Sequence, residues 1–257
     1  MGRDAALSVA ASYYGLASEY DVVYGGDWDA AVDRQGAAID ELIRELTPGA
    51  TRILDCSCGI GTQAIGLARH GYQVQGTDLS ERAVARARQE AARLGVTVDF
   101  SVADFRDLSG IAGPFDVVIS CDNALPHLLS DDDVALALRE MRSKLRPGGI
   151  LVVSIRDFDV ALRERPCEPV STLVDGLPRR ILVRLHEWEP PPSLIYVVRF
   201  IVLTEDVGWT VSEHATRYRA LTRDTLIAAS HNAGFADARF VRTTIVGGQQ
   251  VLVAVNS

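Results

Sequence analysis

From residue 28 onward the chain switches repeatedly between a helical and an extended hydrophobic rhythm. Ala31, Ile39, Leu42, Ile43 and Leu46 recur at helical spacing across Trp28 to Leu46, and Thr47-Pro48-Gly49 ends that helix. A short apolar strand, Arg52 to Asp55, follows. Gly59 and Gly61 then open a helix running to Arg69, closed by His70-Gly71, and a second strand spans Gln73 to Thr77. The alternation repeats with a helix from Glu81 to Leu94 closed by Gly95, a strand at Val96 to Val102 and an apolar strand at Phe115 to Cys121. A helix from Asp131 to Leu145, stopped by Pro147-Gly148-Gly149, leads into a fifth strand at Ile150 to Ile155.

Strands that alternate with helices imply a mainly parallel sheet covered on both faces, because parallel neighbours need helical crossovers. Ligands of such sheets bind at the carboxyl ends of the strands. After residue 156 the rhythm becomes extended, with segments around Ile181 to Glu187, Leu194 to Leu203 and Trp209 to Tyr218. A helix from Thr222 to Ala233 and strands near Ala238 to Thr243 and Val251 to Val255 close the pattern. The expected fold class is a single α/β domain with a Rossmann-like, mostly parallel seven-stranded sheet. Its parts are an N-terminal helical flap over 1–46, a ligand-binding core over 47–156, an antiparallel lid over 157–218, and completing elements over 219–257.

Charge narrows the functions open to such a domain. The 26 basic residues face 34 acidic ones, for a net charge of -8, and no basic run stands out, which argues against nucleic acid as a partner. No apolar stretch approaches the roughly 18 residues of a membrane span, and Asp4 stands where a secretion signal would need basic residues, so no membrane association is expected and a cytoplasmic location is. Cys56 and Cys58 are close, but Cys121 and Cys167 supply no second pair at metal-ligand spacing, so no metal site is expected. The Asp131-Asp132-Asp133 cluster reads as the acidic first turn of a helix.

The most informative stretch is Leu54-Asp55-Cys56-Ser57-Cys58-Gly59-Ile60-Gly61-Thr62, a glycine turn between a strand and a helix. Such a turn lets a ligand approach the backbone and exposes N–H groups at a helix N-terminus. The dinucleotide fingerprint would need a third glycine where Ala64 stands, and the phosphate loop would need a Gly-Lys-Ser/Thr that is absent. Asp55 at the strand end suits an ammonium group and would repel a pyrophosphate. Asp78, 17 residues after Gly61 and at the end of the second strand, is placed to accept hydrogen bonds from two ribose hydroxyls. The turn therefore suits an adenosine that carries an amine.

On these residues the chain resembles the class I S-adenosylmethionine-dependent methyltransferases, strongly over 50–157 and more weakly over the last forty residues. The motifs run in order from Asp55 to Gly61, then Asp78, then Ala103-Asp104-Phe105, then Phe115-Asp116-Val117-Val118-Ile119, with Ser57 in place of a first glycine. The resemblance implies S-adenosylmethionine as cofactor. Asp55, Ser57, Cys58, Gly59 and Gly61 would lie around its methionine part, Asp78 and Leu79 at its ribose, and Ala103, Asp104 and Phe105 at its adenine, with Cys121 beside them.

Within that superfamily the chain is most similar to glycine/sarcosine N-methyltransferases and related small-molecule N-methylating enzymes. Cys121-Asp122-Asn123-Ala124-Leu125-Pro126-His127 resembles their segment after the fourth strand, and Arg156-Asp157-Phe158-Asp159 their segment after the fifth, whose arginine grips a substrate carboxylate. Tyr20 to Asp27 resembles a segment whose tyrosine lies near the cofactor. This implies roles for Tyr20 and Tyr24, with Arg34 standing for a following arginine. The later tyrosines that this family turns toward its substrate have Phe200 and Thr216 near their places.

Methyl transfer to an amine needs a neutral nucleophile held in line, so positioning does much of the work. Arg156 is the candidate for orienting a carboxylate through paired hydrogen bonds. His127 is a candidate proton acceptor, and Asn123 is a candidate for touching the amine or cofactor. Tyr24, Asn123, His127 and Arg156 together form the expected substrate contacts. Each has a plainer use: a salt bridge from Arg156 to Asp157 or Asp159, a capping or packing role for His127, and turn closure by Asn123. Tyr13 and Tyr14, with Tyr20 and Tyr24, form the expected N-terminal flap or a packed aromatic edge. The leading reading is N-methylation of an amino acid or similar small amine. The alternatives are an O- or N-methyltransferase of a secondary metabolite and a cofactor-binding protein without catalysis. A homo-oligomer is compatible with the sequence.

Overall fold

A computed structural model describes residues 20–174, 176, 178–242 and 249–257. Tyr13, Tyr14 and Thr243 lie outside these residues, and the side chain of Tyr20 is likewise outside the description.

Five strands, β1 (Arg52–Asp55), β2 (Gln73–Asp78), β3 (Asp99–Val102), β4 (Phe115–Ser120) and β5 (Leu145–Ile155), pair in parallel. With β10 (Asp237–Val241) and β11 (Gln250–Val255) they form a seven-stranded sheet in the order β10-β11-β5-β4-β1-β2-β3, β11 running antiparallel to both neighbours. The order reverses beside β1, which places the crevice of a doubly wound sheet over the carboxyl ends of β1 and β4. Successive side chains of a strand point to opposite faces. Ile53, Val117, Ile119 and Val152 accordingly pack in one core with helices α1 (Trp28–Leu46), α2 (Thr62–Arg69) and α3 (Glu81–Arg93). Leu54, Val118, Leu151 and Val153 pack in the other, with α4 (Asp131–Ser143) and α6 (Arg223–Asn232).

Helices α1 and α2 cross at two glycines. A Cβ on Gly36 would lie 2.7 Å from Gly66 backbone atoms, and one on Gly66 would lie 2.6 Å from the Val32 carbonyl oxygen. Alanine is the better helix former by about 1 kcal/mol, but here its methyl group meets backbone that cannot turn aside. Gly36→Ala is therefore expected to destabilise the fold by about 2 kcal/mol, read as a lower urea midpoint; a raised midpoint would show that the helices separate freely.

Several boundaries depart from the sequence pattern. Strand β3 begins at Asp99, because Val96 and Val98 pack under α3 rather than pairing. Strand β5 begins at Leu145 and runs through the Pro-Gly-Gly turn signal, with an irregular register against β4. There the Gly148 N–H donates to the Asn256 carbonyl and the Asn256 N–H to the Gly149 carbonyl, so Asn256 supplies partners for the break. After Arg156 comes a short helix that the periodicity does not reveal, α5 (Phe158–Glu164), capped by Asp157, which accepts from the Val160 N–H at 3.0 Å.

The antiparallel segment holds four strands rather than three: β6 (Val170–Val174), β7 (Arg179–Trp188), β8 (Ile195–Glu205) and β9 (Trp209–Arg219), paired in sequence order. Tyr196 of β8 aligns with Trp188 of β7 and Tyr218 of β9. Their rings stack, Trp188 to Tyr196 at 4.4 Å and Tyr196 to Tyr218 at 5.6 Å between centroids. Tyr196 and Tyr218 belong to the same buried cluster as Leu125, Ile155 and Phe158, so this face of the small sheet is packed onto the carboxyl edge of the large one.

Candidate functional site

Two cavities meet at that edge. The first, about 440 Å³, is lined by strand-end residues. After β1 come Cys56, Ser57 and Gly59, after β2 Asp78 and Leu79, after β3 Ala103, Asp104 and Phe105, and after β4 Cys121 and Asp122. The Asp78 carboxylate fixes its two loops together, accepting the Gly59 N–H at 2.9 Å through Oδ2 and the Ser80 N–H at 2.9 Å through Oδ1. Burial raises its pKa, against the pull of those two donors. Gly59 sits at φ +52° with nothing within 4 Å of where a Cβ would stand, so the turn leaves open space against the backbone. That is the cradle expected for a ligand lying against a glycine turn.

Not every expected residue faces this cavity. Asp55 is fully buried beneath it, accepting from the Ser57 N–H at 3.3 Å, with Oδ2 unpartnered. Burial, with the Asp78 and Asp122 carboxylates nearby, pushes its pKa to about 8 despite the Ser57 N–H. Cys58 is buried and Gly61 serves as the left-handed cap of α2 at φ +95°, packed against Ile65 and Phe100. Arg34 is exposed on the outer side of α1 and lines neither cavity, because the buried stripe of that helix runs through Gln35, Gly36 and Ile39 instead. The Asp104 carboxylate is held by Arg106 at 2.7 Å, and Arg106 also reaches Asp133, so this rim is closed by an ion-pair network that sequence reasoning did not include.

His127 lines the first cavity from a 3-10 turn after β4. It is 8% exposed, its ring centroid lies 4.1 Å from that of Tyr218, and Nδ1 lies 3.3 Å from both the Arg217 carbonyl and the Thr216 hydroxyl. Burial lowers its pKa to about 3 against the carbonyl bond, so the ring is neutral at physiological pH and a weak proton acceptor. The unfolded chain takes up the imidazole proton near its ordinary pKa of about 6.5, whereas the folded chain resists until about 3. The His127 contribution to stability is therefore complete above the higher value and lost as pH falls through this window. His127→Gln is expected to flatten the rise in urea midpoint between pH 5 and pH 7; an unchanged slope would show a solvated ring.

The second cavity, about 490 Å³, lies between the β4 and β5 loops and the small sheet. Its walls include Tyr24, Asp122, Asn123, Arg156 and Gln249 on one side and Arg184, His186, Tyr196, Phe200 and Tyr218 on the other. The second group is set by register: Arg184 pairs with Phe200, His186 with Val198, and Tyr196 with Tyr218, all on one face. Tyr196 and Tyr218 thus line the wall, while Thr216, on the same face, is buried against His127 and does not line the cavity. Asn123 faces this cavity rather than the first and closes the turn, its Oδ1 accepting the Arg156 N–H at 3.0 Å.

The expected salt bridge of Arg156 to Asp157 or Asp159 does not form, since Asp157 caps α5 and Asp159 pairs with Arg223. Arg156 Nη1 donates to His186 Nε2 at 2.8 Å, which leaves the histidine proton on Nδ1, where it has no partner. Burial and the two neighbouring arginines lower the His186 pKa to about 4. Arg184 Nε is likewise buried without a partner, and burial next to Arg156 lowers the pKa of Arg184. Among the described residues neither arginine meets a carboxylate. Donors thus predominate around the cavity, whose one acidic lining residue among those described is Asp122.

Known proteins resemble this chain in sequence and fold. Residues 53–149 match the methyltransferase domain family. YqeM of Bacillus subtilis, whose name puts it forward as a methyltransferase without naming a substrate, is 33% identical over 63% of this chain and 62% of its own. A glycine/sarcosine N-methyltransferase of Halorhodospira halochloris is 33% identical over 52% of this chain and 49% of its own. The chain thus spans about half to three-fifths of the length of these curated relatives. The structure of an S-adenosylmethionine-bound amino pentose methyltransferase from Micromonospora echinaspora superposes with a TM-score of 0.79 at 22% identity, covering 93% of this chain and 97% of that one. The chain thus shares the Rossmann-like α/β fold of that S-adenosylmethionine-bound methyltransferase, a mostly parallel seven-stranded sheet, here with an antiparallel sheet inserted after the fifth strand.

Proposed function

We propose that the protein transfers a methyl group from S-adenosylmethionine to the amine of a small substrate that bears a carboxylate, of the glycine or sarcosine kind. Gly59, Asp78, Leu79 and Phe105 would hold the cofactor in the first cavity, which supplies a methyl group on a sulfonium beside the second. The observation that carries the choice of substrate is the pair Arg156 and Arg184, half-buried on the two sides of the second cavity without a carboxylate partner among the described residues. A buried charge of this kind calls for a counter-charge, and a guanidinium matches a carboxylate through two parallel bonds. Packing of the small sheet over the cavity would keep water from the methyl group.

The volume of the second cavity favours a second reading. About 490 Å³ is more space than glycine needs and lies in the range of drug-sized ligands, so a larger secondary metabolite methylated on nitrogen or oxygen is the alternative. Incubation of the protein with S-adenosylmethionine and, in turn, glycine, sarcosine, an aminopentose and a phenol, with S-adenosylhomocysteine as readout, separates the two. Turnover of the amino acids is the expected outcome. Turnover of the aminopentose or phenol alone would remove the carboxylate from the proposal.

A further inference from the structure

The geometry assigns Asp122 as the group that binds the substrate ammonium and takes its proton before methyl transfer. This rests on the amine reading above. Among the described residues Asp122 is the one whose side lines both cavities, and it is the one acid in the wall of the second. It therefore stands where a substrate amine must sit to meet the methyl group, with Arg156 and Arg184 sharing the rest of the cavity. An amino acid placed between them would have its ammonium at the aspartate and its carboxylate at the arginines.

The carboxylate is held in place with unusual care. Oδ2 accepts the Tyr24 hydroxyl at 2.5 Å and the Gln63 amide at 2.8 Å, and that same amide donates to Gln35 Oε1 at 2.5 Å. The Asp122 N–H donates to Ser154 Oγ at 2.9 Å, and the Ser154 hydroxyl in turn donates to Gln249 Oε1 at 2.7 Å. Asp122 and Asn123 both lie in the left-handed region, at φ 56° and 65°, where a non-glycine residue costs energy. Two such residues in succession, at a cavity junction, mark a conformation kept for the position of its side chains.

The charged and titratable groups around it are Tyr24 on the N-terminal turn, Asp55 under β1, the adjoining Cys121, Arg156 after β5, Arg184 and His186 on β7, Tyr196 on β8 and Tyr218 on β9. Burial raises the Asp122 pKa, against hydrogen bonds from Tyr24, Gln63, Gln35 and Gln249, which brings it toward that of the amine it would serve. In the step, an N–H bond of the ammonium breaks and an O–H bond forms on Asp122, freeing the nitrogen lone pair. That pair forms the new N–CH3 bond while the electrons of the S–CH3 bond remain on sulfur. The proton on Asp122 passes to solvent as the product leaves. His127 does not compete for this role, since it lines only the first cavity and is held neutral.

Asp122→Asn preserves the shape, and asparagine is among the residues that best tolerate a left-handed backbone. Calorimetry with S-adenosylhomocysteine is expected to show unchanged cofactor affinity. With whichever of glycine, sarcosine and the aminopentose the wild type methylates, kcat at neutral pH should fall by roughly 10²–10⁴-fold with little change in KM. It should recover as pH rises toward the pKa of the amine, when the substrate arrives already deprotonated. Without cofactor or substrate, the infrared band of protonated carboxyl groups should lose one titrating component in the variant. Equal activity, a loss that is the same at every pH, an unchanged infrared titration or lost cofactor binding would each overturn the assignment. A wild type inert toward every amine would instead overturn the amine reading, and the assignment with it.

Discussion

Arg156→Ala is expected to raise KM for a carboxylate-bearing amine by roughly 10–100-fold, leaving affinity for S-adenosylhomocysteine unchanged. The magnitude follows from losing charge-assisted hydrogen bonds of about 1.5–3 kcal/mol at about 1.4 kcal/mol per tenfold. The variant keeps the loop, because the bond that ties residue 156 to Asn123 is donated by the main chain. It frees His186 Nε2 from its 2.8 Å bond, but that ring is neutral and leaves no uncompensated charge. Lysine should restore little, since an ammonium cannot make two parallel bonds to a carboxylate. Arg184 shares the cavity, so replacing both should cost more than the first alone but less than the product of the two effects. Equal KM values for wild type and Arg156→Ala, or an equal rise for a neutral acceptor such as a phenol, would remove the carboxylate clamp.

The two halves of the site differ in how far the sequence discloses them, and the reason is geometric. Residues of the first cavity follow directly on strand ends, as Gly59 follows β1 and Asp78 closes β2, so reading the strands places them. The strands are readable because runs such as Val117 to Ile119 and Leu151 to Val153 are buried on both faces. The second cavity is built by register, and Arg184, His186, Tyr196, Phe200 and Tyr218 meet only once β7, β8 and β9 are paired. Those strands are only partly buried on both faces, and β8 is apolar at nearly every position from Ile195 to Leu203, so their hydrophobic pattern leaves the pairing undetermined. Phe200 accordingly lines the wall as its place in the pattern suggests, whereas Thr216 does not, and Tyr196 and Tyr218 complete the wall. Asp122 escaped notice for another reason: in Cys121-Asp122-Asn123 it looks like a turn residue, and no glycine announces its left-handed backbone. Arg34 shows the opposite error, a spacing borrowed from relatives that the helical phase of α1 turns to solvent.

The second large effect belongs to the first cavity: Asp78→Ala should weaken S-adenosylhomocysteine binding by roughly a hundredfold or more. A carboxylate accepting two ribose hydroxyls provides two charge-assisted bonds, each of about 1.5–3 kcal/mol, and alanine replaces neither. It also removes the acceptor shared by the Gly59 and Ser80 N–H groups, so the two loops that wall the cavity lose their common anchor. Folding and binding are separable by thermal melts with and without ligand, because a ligand bound only by the folded state stabilises it by RT ln(1 + [L]/Kd). The wild type should melt higher as S-adenosylhomocysteine is added, and Asp78→Ala should melt at a ligand-independent temperature across the same concentrations. Asp78→Asn provides the control for the loop anchor, since its amide oxygen can keep one N–H partner while its NH2 group cannot accept from a ribose. If asparagine binds the ligand as tightly as aspartate does, the ribose is held elsewhere and Asp78 serves only to join the β1 and β2 loops.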